Sequence, residues 1–149
     1  MNIKLYIATG GPIGYTPFSG TLASLCACII LTPFFLMTSV TVQIFSILMA
    51  SSIGWFCVAY AIDYFKKSDP SIIVYDEFVG MACAMVCISP SIKNIILSFL
   101  LFRFFDGLKW FGIRFFEKLP GAWGVMIDDI VAGCYASFCI QGLQWYGML

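Results

Sequence analysis

VTVQIFSILMASSIGWFCVAYAI, the stretch from Val40 to Ile62, carries no charged residue. Crossing the hydrocarbon of a bilayer takes ~20 apolar residues in a helix, so this run is long enough to span. Other apolar runs lie near Leu22–Met37, Phe78–Ser89, Ile92–Phe105 and Ile130–Tyr146. In lipid every backbone N–H and C=O must find its partner within the protein, which leaves helices as the natural spanning element for such runs. The expected fold class is therefore all-α: an integral membrane helical bundle of about five spans. Residues 1–149 read as one domain, with no repeat period and no low-complexity tract.

With 61% of its residues hydrophobic and only 11% charged, the chain has few ionisable groups, and their placement is informative. Alternating the five spans puts the N-terminus and the 63–77 and 106–129 stretches on one side. All eight acids fall there: Asp63, Asp69, Asp76, Glu77, Asp106, Glu117, Asp128 and Asp129. Lys4, Lys66, Lys67, Arg103, Lys109, Arg114 and Lys118 share that side, and Lys93 stands alone on the other. An excess of Lys and Arg in short loops marks the cytoplasmic face. The start, where Lys4 is followed by Gly and Pro, does not read as a cleavable signal peptide.

Zero net charge argues against a nucleic-acid partner, since the aromatics lie in or beside apolar runs and there is no basic stripe. With no histidine, His-ligated zinc or iron is excluded. The seven cysteines, an odd number without a CxxC pair, read as reduced, small apolar packers within the spans.

Two spans are short. Phe78–Ser89 and Ile92–Phe105 meet at a Ser89-Pro90-Ser91 turn and would draw polar groups inward. Prolonging the second past Phe105 places Arg103, Asp106 and Lys109 at three-residue intervals, on roughly one helix face. A charge at membrane depth is costly unless it faces the bundle interior and has a partner. Small residues indicate where helices touch: Gly20, Ser24 and Cys28; Gly80 and Ala84; Ala132, Gly133 and Ala136. Asp76 stands four residues before Gly80, and Asp129 four before Gly133, so these stripes should turn the acids toward a shared centre.

The expected constellation is Asp76, Glu77, Arg103, Asp106, Lys109, Asp128 and Asp129. Several carboxylates without histidine make a hard-oxygen site suited to magnesium. Asp76 and Asp128 would double as helix N-caps, and taken singly each acidic pair could be no more than a cap and first-turn acid. Arg103 and Lys109 would receive an oxyanion. Metal, arginine, lysine and spare carboxylate at a lipid interface suggest phosphoryl chemistry on a headgroup. Trp110, Phe111, Phe115 and Phe116 read as one face of an amphipathic interfacial helix on the cytoplasmic side.

Three blocks, Tyr75-Asp76-Glu77-Phe78-Val79-Gly80, Phe102-Arg103-Phe104-Phe105-Asp106-Gly107-Leu108-Lys109, and Gly121-Ala122-Trp123-Gly124 continuing to Gly133, resemble the signature blocks of the bacterial phosphatidylglycerophosphatase A family. Pro17-Phe18-Ser19-Gly20-Thr21-Leu22-Ala23-Ser24-Leu25 resembles its remaining block, usually P-x-P-G-T-x-G-S-L. The resemblance covers nearly the whole chain. It implies a multi-pass enzyme of the bacterial inner membrane, with its site facing the cytoplasm, that hydrolyses the phosphate monoester of the phospholipid phosphatidylglycerophosphate with magnesium. Mapped on that pattern, Asp76, Glu77, Asp106, Asp128 and Asp129 would hold Mg2+. Arg103, Asp106, Lys109 and Asp129 would be catalytic, and Thr21, Ser24, Arg103 and Lys109 would bind substrate. Trp110 and Gly112 stand where the family usually has prolines, and Ser19, Ala23 and Ala122 replace a proline and two glycines.

Two other classes compete. A CDP-alcohol-type phospholipid transferase would follow D-G-x-x-A-R with G-x-x-x-D-x-x-x-D, but Asp106-Gly107 leads into Leu108-Lys109-Trp110-Phe111, and Asp128 and Asp129 are adjacent. A small membrane transporter would need ionisable groups along a path between both faces, where only Lys93 is offered on the far side.

Overall fold

The structure, a computed structural model, describes residues 2–89, 91–109 and 112–148. Its regular elements are all helical: α1 (Ile3–Ala8), a 3-10 turn (Ile13–Tyr15), α2 (Ser19–Met37), α3 (Val40–Phe65), α4 (Tyr75–Met85), α5 (Ile92–Leu108), α6 (Ile113–Glu117) and α7 (Ala122–Trp145). Each of the five apolar runs forms a helix. Three of them, α2, α3 and α7, are long and apolar enough to cross a membrane. At 1.5 Å per residue α4 rises only about 16 Å and α5 about 25 Å, so α4 ends inside the bundle.

The short helix is also the most enclosed. Every residue from Val79 to Met85 is buried, and α4 packs against α7, α5, α2 and α3. The α4–α7 contact depends on missing side chains: a Cβ on Gly133 would overlap the Gly80 carbonyl, and one on Gly80 would lie 2.8 Å from the Asp129 carbonyl oxygen. Backbones approach this closely in lipid because packing, rather than water exclusion, holds the helices. Phe102 of α5 fills the space beside Gly80 and is fully buried; truncating a ring in such a place costs about 3–5 kcal/mol.

Toward lipid, α2 and α3 present Ile29, Leu36, Phe45, Leu48 and Phe56, all exposed. Hydroxyls within the helices are satisfied by the preceding turn, as Thr32 donates to the Cys28 carbonyl, Ser51 to Ile47 and Ser98 to Asn94. After Met85 the chain leaves the helix at Val86, whose carbonyl accepts from Ser137 of α7 at 2.9 Å. Ser91 caps α5, and the Asn94 amide reaches back to Ser89 at 2.6 Å. Pro90, at the centre of the expected turn, lies outside the described residues.

Several expectations need correction. The last span starts at Ala122 rather than Ile130, because Trp123 and Val125–Ile127 continue the apolar face upstream of the acids. Asp128 and Asp129 therefore sit in the second turn, about 10 Å along the helix, and are not its caps. Asp76 is the second residue of α4, whose N-cap is Val74, so it is a first-turn acid and not the cap. The cysteines are all free, but only Cys28, Cys57 and Cys83 are buried, and Cys87 follows the end of α4 in a left-handed turn. Within the expected interfacial helix, Phe115 and Phe116 belong to α6, anchored by the fully buried Ile113, while Trp110 and Phe111 lie outside the described residues.

Candidate active site

The helices alternate in direction, so the starts of α2, α4 and α7 meet the end of α5 at one end of the bundle. There they enclose a cavity of about 620 Å3. Asp76 and Glu77 enter it from the first turn of α4, Arg103 and Asp106 from the last turns of α5, Lys109 from just beyond, and Asp128 and Asp129 from α7. The seven charged residues expected from sequence are thus brought together. Gly20 and Thr21 line the cavity from the start of α2, but Ser24 is fully buried a turn deeper, where its hydroxyl donates to the Gly20 carbonyl at 2.9 Å.

The spacing within α5 explains part of the arrangement. Arg103 Nη1 lies 2.9 Å from Asp106 Oδ2, its i+3 neighbour, and 3.5 Å from Glu77 Oε1 of α4. The same Nη1 is buried yet has no properly aligned hydrogen-bond acceptor. The guanidinium is thus balanced in charge but not saturated, and retains directional donors for a further oxyanion.

Lys109 closes α5 in the left-handed region, with its N–H on the Phe105 carbonyl at 2.8 Å. That reversal aims the ammonium across the cavity at Asp128 Oδ2, 2.9 Å away, and at Glu117 Oε1, 3.2 Å away on α6. Burial lowers the Lys109 pKa, but hydrogen bonds and charge from Asp128 and Glu117 outweigh it and hold the ammonium above the usual lysine range. Lys109 is accordingly a fixed positive charge at neutral pH.

These pairings leave some carboxylate oxygens unsupported. Asp76 and Asp129 are buried, as is the Lys109-paired Asp128, and Asp76 Oδ1 and Glu77 Oε2 have no hydrogen-bond partner. Of the groups lining the cavity, six are acids (Asp69, Asp76, Glu77, Asp106, Asp128, Asp129) and two are cations (Arg103, Lys109). Desolvating a carboxylate costs several kcal/mol unless a cation or proton compensates it, so this excess calls for positive charge from outside the chain. Among the described residues, no three Asp, Glu or Cys side chains form a ready-made metal cage.

The start of α2 supplies the opposite polarity. Its N-cap, Phe18, takes a left-handed conformation and offers no side-chain cap, and the first-turn residues Ser19, Gly20 and Thr21 line the cavity. Such a helix start favours anions. Gly20 makes the closeness of α2 to α4 possible, because a Cβ there would overlap the Glu77 carboxylate.

Several lining residues were not singled out from the sequence: Asp69 and Ser71 from the loop before α4, and Gly14 to Thr16 from the 3-10 turn. Asp69 carries the one usable signal, an acid on the same side as the others. Nothing local in the 3-10 turn shows that it folds over the start of α2.

The sequence profile of Phosphatidylglycerophosphatase A matches residues 6–144. A Bacteroides thetaiotaomicron protein provisionally described as a phosphatidylinositol-3-phosphatase is 30% identical over 96% of this chain and 94% of its own length. The Escherichia coli Phosphatidylglycerophosphatase A is 33% identical over 85% of this chain and 75% of its own. The Haemophilus influenzae Phosphatidylglycerophosphatase A is 46% identical over a shorter stretch, 52% of this chain and 49% of its own. No solved structure matches significantly. A match spanning all the cavity-lining segments, joined to the gathering of the motif acids, arginine and lysine in one cavity, establishes that the chain belongs to the phosphatidylglycerophosphatase A family.

Proposed function

We propose that the chain is a magnesium-dependent phosphatidylglycerophosphatase of the bacterial inner membrane. It would hydrolyse the terminal phosphate monoester of phosphatidylglycerophosphate at a cytoplasm-facing site, giving phosphatidylglycerol and phosphate. The observation that carries this reading is the cavity's double character: buried acids in excess, beside an unsaturated guanidinium, a fixed ammonium and an uncapped helix start.

Magnesium fits these residues. It prefers oxygen donors and is usually held by one or two carboxylates, with waters and substrate phosphate completing its shell, so a three-carboxylate cage is not required. The partnerless Asp76 Oδ1 and Glu77 Oε2 are donors of that kind. Asp106, Asp128 and Asp129 complete the set from which one or two ions would be held. When bound, the metal would neutralise the phosphate dianion and polarise phosphorus.

The chain's own groups have separable tasks. Arg103 orients the phosphoryl oxygens through its free donor directions, and its pairing with Asp106 and Glu77 keeps it from swinging away. Lys109 adds a second positive charge over the same oxygens, where stabilising charge is most useful as the ester bond loosens. Thr21 and the first-turn N–H groups of α2 receive the oxygens on the other side. Asp129, buried on the cavity wall, would accept a proton from the attacking water. Ser24 acts at one remove, holding the Gly20 carbonyl and hence the shape of the α2 start.

Purified protein in detergent micelles, given phosphatidylglycerophosphate with magnesium and then with EDTA, tests the reading. Phosphate released only with the metal supports it; no release in either condition refutes it. Because one relative is described as acting on a phosphoinositide, phosphatidylinositol 3-phosphate belongs beside it as a second substrate. A higher kcat/KM on that lipid would reassign the headgroup.

A further inference from the structure

We infer that one fatty-acyl chain of the lipid substrate lies in an apolar groove between α1, α2 and α4. This rests on the phosphatase reading and names how its site holds the lipid part of the substrate. The groove is a hollow of about 290 Å3 that includes Ile13, Ala23, Cys26, Ile30, Val74 and Phe78 in its walls.

Continuity with the polar cavity identifies the occupant. At three places the same short segment lines both spaces. On α2, Gly20 and Thr21 face the cavity, and Ala23, Cys26 and Ile30, at helical spacing, descend the groove. On α4, Asp76 and Glu77 face the cavity while Tyr75 and Phe78, their rings stacked at 6.3 Å, wall the groove. Above them, Gly14 and Ile73 lie on the polar side of a rim whose apolar side is Ile13 and Val74. Ile30, at the lower end, is exposed toward lipid. A molecule with its phosphate against the α2 start must pass its glycerol over this rim, and the portion beyond the rim must be apolar and flexible, as an acyl chain is.

A second apolar hollow of about 290 Å3, walled by Trp55, Phe56, Trp123 and Met126, is the competing place. It opens on the α3–α7 face, and the cavity residues nearest to it in sequence belong to α7 alone, so no comparable rim joins the two.

A phosphomonoester glycerolipid with a diazirine in one acyl chain, cross-linked to the intact protein in micelles and mapped by mass spectrometry, tests the inference without activity. Adducts concentrated on residues 23–30 and 74–78 are expected. Adducts concentrated on Trp55, Phe56 and Trp123, or spread evenly over the lipid-facing helices, would overturn it. Kinetics give the second arm: Cys26→Trp fills the groove and should lower the ratio of kcat/KM for a long-chain over a dihexanoyl substrate by about tenfold, as loss of roughly two methylene contacts would. Phe138→Trp, on exposed α7 surface, should leave that ratio near wild type. An unchanged ratio in Cys26→Trp overturns the groove. Wild-type protein that hydrolyses neither substrate but still gives groove adducts overturns the phosphatase reading and keeps the groove.

Discussion

Replacing Gly20 by alanine separates packing from function more cleanly than removing a charge. The three atoms nearest to a Cβ at this position all belong to the Glu77 carboxylate, and they are too close to accommodate it. Since the obstacle is the tip of a flexible side chain and not backbone, the fold has a way out: Glu77 turns aside. At the second residue of α2 the alanine gains at most the ~1 kcal/mol of an interior helix position, and local overpacking costs about 1–3 kcal/mol. Net destabilisation should therefore lie between roughly 0 and 3 kcal/mol, small enough to leave the protein folded in the membrane. Turning Glu77 aside moves its carboxylate from Arg103, which it now faces at 3.5 Å. A misplacement of ~1 Å in such a site costs on the order of 100-fold in rate. The assay is magnesium-dependent phosphate release in micelles, with thermal unfolding measured on the same samples. Adding Glu77→Asp, which draws the carboxylate back by one methylene, should recover the lost stability. A folded Gly20→Ala protein with wild-type kcat/KM would refute the claim that the α2 start and Glu77 share one reacting space.

Arg103→Gln should lower kcat/KM on the order of 100- to 1000-fold, the loss seen when one donor to a developing oxyanion is removed, and the same assay checks it. Lys109 gives a pH signature. Its pKa in the folded chain is raised, so its pairing contributes fully below the unfolded lysine value of about 10.4 and is lost as pH rises through the folded value. The stability difference between wild type and Lys109→Met should accordingly stay constant from about pH 7 to 9 and shrink only in stronger alkali, as read from melting curves. Gly133→Val should force α4 and α7 apart and destabilise by about 1–3 kcal/mol or more in a denaturant titration.

The helices, their direction and the side on which the acids gather were legible because apolar runs and one-sided charge are written directly in the chain. Arg103 and Asp106 were legible as a pair because an i, i+3 spacing fixes their proximity before any tertiary contact forms. Where α7 begins was not: Trp123, Val125, Met126 and Ile127 are apolar enough to continue a helix, and a count that stops at the first charge stops at Asp129. Starting the span at Ile130 makes caps of acids that are nearly two turns inside and buried. Lys109 depended on a left-handed residue at the end of α5, which spacing alone does not specify. Ser24 was grouped with Thr21 by motif, yet one turn further along α2 the helix is already packed inside the bundle, and there the hydroxyl bonds back to the Gly20 carbonyl instead of reaching the cavity. The contribution of the 3-10 turn and of Asp69 to the cavity wall is a product of tertiary packing that no local pattern specifies.

The central claim is that acids from α4, α5 and α7 hold a divalent cation in the cavity where the phosphate binds. Manganese titrated into the purified protein in micelles and followed by electron paramagnetic resonance measures this directly. Saturable binding that weakens at least tenfold in each of Glu77→Gln, Asp106→Asn and Asp129→Asn, and tightens when phosphate is added, is the expected result, about 1.4 kcal/mol or more per carboxylate. Binding that all three substitutions leave unchanged would contradict it.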